Sequence, residues 1–362
     1  MLGWSAGRRS PILTEPMNDA TVHATAPLRI SFVGGGTDLP HWFEIHGGAV
    51  LSSTIDHYAH VTVEPRGDAQ IRIRDLRLEQ LVEYHLDETP VYDGVVDLAK
   101  AAIKRVGVDR GVDVDVRSDA PPGSGLGGSS ALVTAAVGAL SALRGQAHSR
   151  DEIAQMSHAI ERHDLGIAGG WQDQYAAAFG GFNLIEFSGG GATVTPLRVA
   201  ADVLAELQAN LMLCYTGGVR TNLGLIDTQI RLYHEGREET IQGMKQLQAM
   251  AYEMRDAVES GDLGGLGNML REAYESKKRM NPHVAEGTAI ERLLEAARAA
   301  GAAGGKICGA GGGGYLLLYC TPQRQPAVRT TLECLGGQFA SFAFEPSGVR
   351  AEMAGSVWRP LG

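Results

Sequence analysis

Pro121 to Ala131, PPGSGLGGSSA, is the stretch on which the reading of this chain turns. Before it, Val112-Asp113-Val114-Asp115-Val116 alternates apolar and polar residues, as a half-buried strand does. After it, Ala131 to Leu143 is rich in Ala and Leu and reads as a buried helix. A strand therefore ends in a glycine-rich loop that opens a helix. Such a loop leaves backbone N–H groups free, and a helix start adds roughly half a positive charge. Together they form a receptor for phosphate.

Three phosphate loops compete for this pattern. A Walker loop needs a Lys after the glycines, where Ser129-Ser130-Ala131 stands instead. Gly123, Gly125 and Gly128 satisfy GxGxxG, but a Rossmann unit also needs a second strand ending in an acid about 20 residues on. Asp151 to His163 reads as a second helix. The third reading is a loop that grips phosphate with backbone amides, helped by Ser hydroxyls at the helix start. A turn without a ligand is the bland alternative, yet Gly123, Gly125, Gly127 and Gly128 carry a cost in conformational entropy that a plain turn rarely needs.

The segment resembles the second motif of the GHMP kinases, the family of galactokinase, homoserine kinase, mevalonate kinase and phosphomevalonate kinase. Ala26 to Asp38, APLRISFVGGGTD, resembles the family's N-terminal substrate motif, and Lys306 to Leu318, KICGAGGGGYLLL, its C-terminal glycine-rich motif. The likeness covers about residues 24–345. Its wording is nearest to the branch that acts on D-glycero-D-manno-heptose 7-phosphate. The GGGTDLP form of the first motif, Tyr215-Thr216-Gly217 followed by Arg220, the pair Lys277-Lys278, and GGKICGAGGGGYLL carry that likeness. Galactokinases have Glu-His where Gly35-Gly36 stands here, which argues against galactose.

Composition sets limits. A chain of 362 residues is long enough for two domains sharing a cleft. No run of 18 apolar residues exists, so no membrane span is expected. The net charge of −10 disfavours nucleic acid and anionic membranes as partners. It also requires local amides, Mg²⁺ and a few basic side chains to hold anionic substrates. Cys214, Cys308, Cys320 and Cys334 show no CxxC spacing, so they read as buried free thiols of a cytoplasmic protein. The first 24 residues carry Arg8-Arg9 without an apolar core behind them, which fits neither a Sec nor a twin-Arg signal. Met17 is an alternative start, because the first strand pattern begins only near His23.

The element pattern is mixed rather than a regular βαβα alternation, which predicts an α+β fold. Strands are expected at Thr25–Val33, Ala49–Ile55, His57–Glu64 and Gln70–Arg74, then a helix at Val95–Val106 and the strand at 112–117. Helices follow at 129–143 and 150–163, a loop at Ile167–Gln174, a strand at Gly181–Phe187 and an inter-domain passage at Pro196–Ala209. After a strand at Leu211–Tyr215, helical patterns run 222–234, 238–259, 262–279 and 286–300. The end alternates: strands at 305–308 and 314–320, a helix at 323–335 and a strand at 338–345. The resemblance implies a two-domain GHMP kinase fold. An extension would cover 1–24, an ATP-binding domain like the second domain of ribosomal protein S5 would cover 25–200, and a ferredoxin-like domain would cover 201–362.

The resemblance also implies site residues. Asp173, in GGWQDQY, matches the acid that faces the attacking hydroxyl; Asp is equally suited to capping a helix. Arg29 stands in a largely apolar strand and needs a partner unless it lies on a surface edge. Asp173 is its counterpart by resemblance. Mg²⁺ would be held by Glu161 and a Ser of the loop, with Ser130 preferred over Ser129; a solvated helix face is the plain alternative for Glu161. Pro122, Gly123, Ser124, Gly125, Leu126, Gly127, Gly128, Ser129 and Ser130 would cradle ATP. Gly36, Thr37 and Asp38 would bind the sugar, unless GGGTD is merely a turn with Asp as a cap. Gly312 would approach the substrate from the third motif. Arg220 and Lys277 would neutralise its remote phosphate, although Lys277-Lys278-Arg279 also suits a helix C-terminus.

The implied activity is ATP-dependent phosphorylation of the C1 hydroxyl of D-glycero-α-D-manno-heptose 7-phosphate, a small-molecule sugar phosphate, for nucleotide-activated heptose and surface polysaccharide. Rival readings are a kinase of the same family acting on a fucose-like sugar or free heptose, a non-catalytic sensor of sugar or ATP, and a family decarboxylase.

Overall fold

The computed structural model describes residues 17–219, 224–284, 286, 288–353 and 356–361. The chain opens with β1 (Val22–Val33), α1 (Pro40–His46), β2 (Gly48–Pro65), β3 (Gln70–Asp75), β4 (Gln80–His85) and α2 (Asp97–Val106). Next come β5 (Val112–Ser118), α3 (Gly128–Leu143), α4 (Arg150–Ala159), α5 (Gln172–Phe179), β6 (Phe182–Ser188) and β7 (Gly191–Pro196). The second half runs α6 (Ala201–Asn210), β8 (Leu211–Val219), α7 (Leu225–His234), α8 (Glu238–Ser260), α9 (Leu266–Met280) and α10 (Ile290–Ala299). It ends with β9 (Gly304–Ile307), β10 (Gly313–Tyr319), α11 (Gln325–Cys334), β11 (Gln338–Ala340), β12 (Arg350–Met353) and β13 (Ser356–Trp358).

Two sheets organise these elements, an α+β arrangement. The larger has the order β13-β12-β1-β2-β5-β3-β4, with β6 and β7 branching from β2. The smaller is antiparallel, in the order β11-β8-β10-β9. β12 and β13 return from the far end of the chain to pair beside β1, so the last stretch of 201–362 is hydrogen-bonded into the sheet of the first half.

The strand at Ala49–Ile55 and the one at His57–Glu64 are a single long β2, because pairing with β1 and β5 continues past Asp56. β4 and β7 are additional strands, each the second arm of a hairpin. The expected passage at Pro196–Ala209 contains α6. The expected loop at Ile167–Gln174 stops short: from Gln172 the run QDQYAAAF is α5, since its alanines favour a helix once the two glycines are passed. Cys334 is exposed on α11, while Cys214, Cys308 and Cys320 are buried.

α3 lies against β1 and β2 and is flanked by α2, α4 and α5. Covered on most sides, it is apolar nearly all round. α4 starts from a capping box in which the Ser149 hydroxyl and the Glu152 carboxylate accept from each other's backbone N–H, at 3.1 and 2.7 Å. α4 ends in one wider π-type turn, Ile160–Asp164, a feature frequent at functional sites. α8 and α9 pack together and reach both sheets. No helix among the described residues is long and apolar enough to cross a membrane.

Candidate active site

A cavity of about 760 Å³ opens between the two halves, and the glycine-rich loop forms its floor. Gly127 caps α3 in the left-handed conformation, φ 73°, with no side chain on the helix N-terminus. The Ala131 N–H bonds to the Gly127 carbonyl at 2.9 Å, so the N–H groups of Gly128, Ser129 and Ser130 precede the helical ladder. The loop is fixed by its own backbone and from two other strands. Ser124 N–H donates to Pro121 O at 3.1 Å, Arg29 N–H to Leu126 O at 2.9 Å, and Tyr315 N–H to Ser124 O at 3.0 Å. These bonds hold the free amides in place without a lysine.

The third motif is pressed directly onto this loop. A Cβ on Gly125, whose φ is 79°, would stand 2.7 Å from the Cys308 carbonyl oxygen, and one on Gly309 would stand 2.6 Å from Gly125 Cα. Neither backbone has room to give. Gly125→Ala is therefore expected to weaken ATP binding at least tenfold, roughly 1.4 kcal/mol, and to lower Tm. Calorimetric titration with ATP and a thermal melt check both.

Arg29 lies on β1 beyond the reach of β12, paired with Thr54 of β2 on one side and bonded through its N–H to the Leu126 carbonyl on the other, so it is not on an open edge, and it is 4% exposed. Its Nε and Nη2 both donate to Asp173 Oδ1, at 2.8 and 2.7 Å. Its Nη1 donates to the Gly125 carbonyl at 2.6 Å. One guanidinium thus ties the acid to the phosphate loop. Asp173 is in the first turn of α5 rather than at its cap. Its Oδ2 lies 3.5 Å from where a Cβ on Gly127 would stand, so the less committed oxygen faces the loop.

Asp38 lines the cavity nearby. Its Oδ1 accepts from Gly36 N–H at 2.8 Å, and its Oδ2 from the backbone N–H and Nε2 of Gln172, each at 3.2 Å. Gly36 also lines the cavity, and its carbonyl accepts from Gln229 Nε2 at 3.1 Å.

Behind the loop, Ser130 Oγ donates to Glu161 Oε2 at 2.6 Å, and Gln174 Nε2 donates to both. Glu161 is 2% exposed, on the π-type turn. Burial pushes its carboxyl up, against the opposing pull of Arg162, Ser130 and Gln174. Gln174 Oε1 is buried without a partner. A hydroxyl, one carboxylate and an unpartnered amide oxygen beside a phosphate loop suit Mg²⁺, which takes few protein oxygens and fills its shell with phosphate and water. A cation would also offset the cost of burying the Glu161 charge.

Two lysines complete the wall. Lys277 Nζ donates to the Gly309 carbonyl, and Lys306 Nζ to the Ser31 carbonyl at 2.7 Å. Neither ammonium touches a carboxylate among the described residues. Burial, reinforced by Lys306 and Arg29, lowers Lys277 to about 7; burial lowers Lys306 to about 8.

Comparison with known proteins bears on this geometry. Residues 94–181 match the GHMP kinases N terminal domain and residues 254–336 the GHMP kinases C terminal domain. A D-glycero-alpha-D-manno-heptose 7-phosphate kinase of Campylobacter jejuni is 33% identical over 340 residues, covering 91% of this chain and 98% of that one. The chain belongs to the GHMP kinases. The crystal structure of a D-glycero-D-manno-heptose 1-phosphate kinase from Bacteroides thetaiotaomicron matches with a TM-score of 0.76 and 29% identity, over 94% of this chain and all of that one. Galactokinase of Lactococcus lactis, at 19% identity and a TM-score of 0.74 over 91% of this chain and 94% of that one, shares the fold. This GHMP kinase therefore has the family's two-domain fold and uses a nucleotide as phosphate donor.

The residues expected from the sequence fall into two groups in this GHMP kinase. Pro122, Gly123, Ser124, Gly125, Gly127, Gly128, Ser129, Ser130, Arg29, Gly36, Asp38, Glu161, Asp173 and Lys277 all line one cavity. Three others do not. Leu126 is wholly buried and anchors the loop from beneath. Thr37 is wholly buried too: its hydroxyl donates to the Gly34 and Ala49 carbonyls at 2.8 and 3.1 Å and so shapes the first motif instead of facing the cavity. Gly312 lies further along the third motif, and Gly309 and Ala310 line the cavity in its stead. Arg220 is outside the described residues.

Sequence reasoning missed Lys306, although a lysine between Gly305 and Ile307 at the start of an apolar strand is the same signal that flagged Arg29. It also missed Gln174 and the part of the cavity lining supplied by residues 75–98, where Leu78, Tyr92, Val96 and Leu98 offer an apolar slot beside Arg77.

Proposed function

We propose that this GHMP kinase transfers the γ-phosphoryl group of ATP to the C1 hydroxyl of D-glycero-α-D-manno-heptose 7-phosphate, giving the 1,7-bisphosphate. This would serve nucleotide-activated heptose and surface polysaccharide synthesis. The observation that carries the reading is the company kept at the acceptor end of the cavity. Asp38 and Asp173, suited to sugar hydroxyls, stand with Lys277 and Lys306, buried cations that lack a carboxylate. An acceptor that is both hydroxyl-rich and anionic satisfies both sets.

In this reading the triphosphate lies on the amides of residues 123–130, and the nucleoside occupies the slot between Leu78, Tyr92, Val96 and Leu98. Asp173 orients the C1 hydroxyl and accepts its proton as the oxygen bonds to the γ-phosphorus and the bond to the β-phosphate oxygen breaks. Arg29 holds Asp173 against the loop, so that acceptor and donor share one rigid frame. Ser130 and Glu161 would hold Mg²⁺, with Gln174 keeping the pair in register; the ion would supply charge neutralisation for the phosphoryl group in transfer. The loop amides stabilise charge on the departing ADP.

A coupled ADP-release assay over a panel of sugars and sugar 7-phosphates tests the reading. The heptose 7-phosphate is expected to exceed free heptose in kcat/KM by at least roughly a hundredfold, about 2.7 kcal/mol, because the two lysines lose their anion in the free sugar. Equal turnover of fucose or free heptose would reject it.

A further inference from the structure

Among the described residues, two that are not glycine have a positive φ: Glu79 at 53° and Val96 at 48°. Both stand at the nucleoside end of the cavity. Val96 lines it, and Glu79 sits between Leu78 and Gln80, which line it as well. A β-branched residue in the left-handed region is an outlier. Such a conformation persists only where the surroundings impose it, and it concentrates at functional sites.

At Val96 the imposing group is Lys100. Its ammonium, buried and 2% exposed, donates to the Val91 carbonyl at 2.7 Å, to Asp93 Oδ1 at 2.8 Å and to Asp97 Oδ1 at 3.0 Å. Burial pulls this lysine down, but the bonds to Asp93 and Asp97 outweigh it and raise it above its ordinary value. The two carboxylates pass the constraint to the backbone. Asp97 Oδ2 accepts from Gly94 N–H at 2.7 Å, and Asp93 Oδ1 from Val95 N–H at 3.1 Å. On the other side, the Val96 carbonyl accepts from the N–H groups of Ala99 and Lys100 at 3.0 and 3.1 Å. The chain on both sides of Val96 is thereby tied to one ammonium.

All three N–H donors of Lys100 are spent on this segment, so none is left for a ligand. Lys100 does not line the cavity. It stands in the first turn of α2, which packs against α3, the helix whose start forms the phosphate cradle. The nucleoside wall and the phosphate cradle are thus referenced to the same pair of helices.

We propose that Lys100 is a positioning residue that keeps residues 91–97 shaped, before any ligand arrives, as the wall against which the nucleoside of the phosphate donor lies. The inference rests on the reading of this end as the nucleoside slot. Preformed walls raise affinity by removing the cost of ordering them on binding.

Lys100→Met keeps the length and burial of the side chain and removes the three bonds. In the full chain it is expected to raise the Kd for ATP with magnesium about tenfold by calorimetry, while KM for the sugar phosphate acceptor shifts less than about twofold. An unchanged ATP affinity overturns the proposal. So does an equal loss of affinity for both substrates, since that marks general damage. Should the variant fail to fold, amide hydrogen exchange of the unsubstituted chain decides. Protection of Gly94 and Val95 without nucleotide is expected, and free exchange that ceases only when ATP is added overturns the proposal. Failure of the underlying reading is distinct: an azido-ATP photoprobe bound to the unsubstituted protein would then label residues outside the stretch from Leu78 to Leu98.

Discussion

Asp173→Asn is expected to lower kcat roughly a hundredfold, about 2.7 kcal/mol of barrier, while ATP affinity stays near normal. The amide keeps the shape of the carboxylate, so its oxygen can still accept from Arg29 Nε and Nη2. What it loses is the capacity to take a proton from the acceptor hydroxyl and the negative charge that orients that hydroxyl. The phosphate loop stands on its own bonds to Leu126, Ser124 and Pro121, which the substitution does not touch. Donor binding and chemistry should therefore separate. Single-turnover kinetics with saturating ATP, set beside a calorimetric Kd, read the two independently. Full turnover in the Asp173→Asn variant would remove Asp173 from the reaction. A parallel collapse of ATP affinity would instead show that the Arg29 tie to Gly125 depends on the charge of its partner.

The parts of this site that are legible in the sequence carry their reason locally. Gly123 to Gly128 announce a loop that only backbone can line. Arg29 announces itself as a charge between Leu28 and Ile30. Glu161 is legible as a candidate ligand through family likeness alone, since its burial depends on the π-type turn at Ile160–Asp164, which no short pattern encodes. Asp173 reads as a loop residue because Gly169 and Gly170 obscure where α5 begins. Thr37 misleads because a hydroxyl within a glycine-rich motif suits a ligand and a buried carbonyl equally well; only the closeness of Ala49, brought by β2, decides between them. β12 and β13 escape notice for a different reason. They are strands of only four and three residues: β12 pairs with β1 at the opposite end of the chain and β13 pairs only with β12, so neither is long enough to show a local periodicity.

Lys277→Met is expected to stabilise the ligand-free protein and to impair it as an enzyme. The ammonium is buried, with a carbonyl as its hydrogen-bond partner, and burial together with Lys306 and Arg29 lowers it to about 7. In the unfolded chain the same group titrates near 10.5. Between those values the unfolded state holds the extra proton, so stability rises with pH from about 7 to about 10.5. Below about 7 both states are protonated, and the full cost of the buried charge remains. A methionine of similar length removes that cost. Its Tm should exceed that of the parent by at least roughly 3 °C at pH 6, and the gain should shrink as pH climbs towards 10. The functional consequence has the opposite sign. An anionic acceptor phosphate binds best to the protonated lysine, so the parent's KM for the sugar phosphate should rise as pH passes about 7. In Lys277→Met it should be at least tenfold higher at pH 6 and depend less on pH. Melting curves across pH and acceptor saturation curves at pH 6 and pH 9 measure the two halves of the prediction. A variant that is stabilised but binds acceptor as tightly as the parent would leave Lys277 a buried charge with no anion to meet. A variant that loses stability would mean that its bond to Gly309, holding the third motif against the phosphate loop, outweighs the cost of its charge.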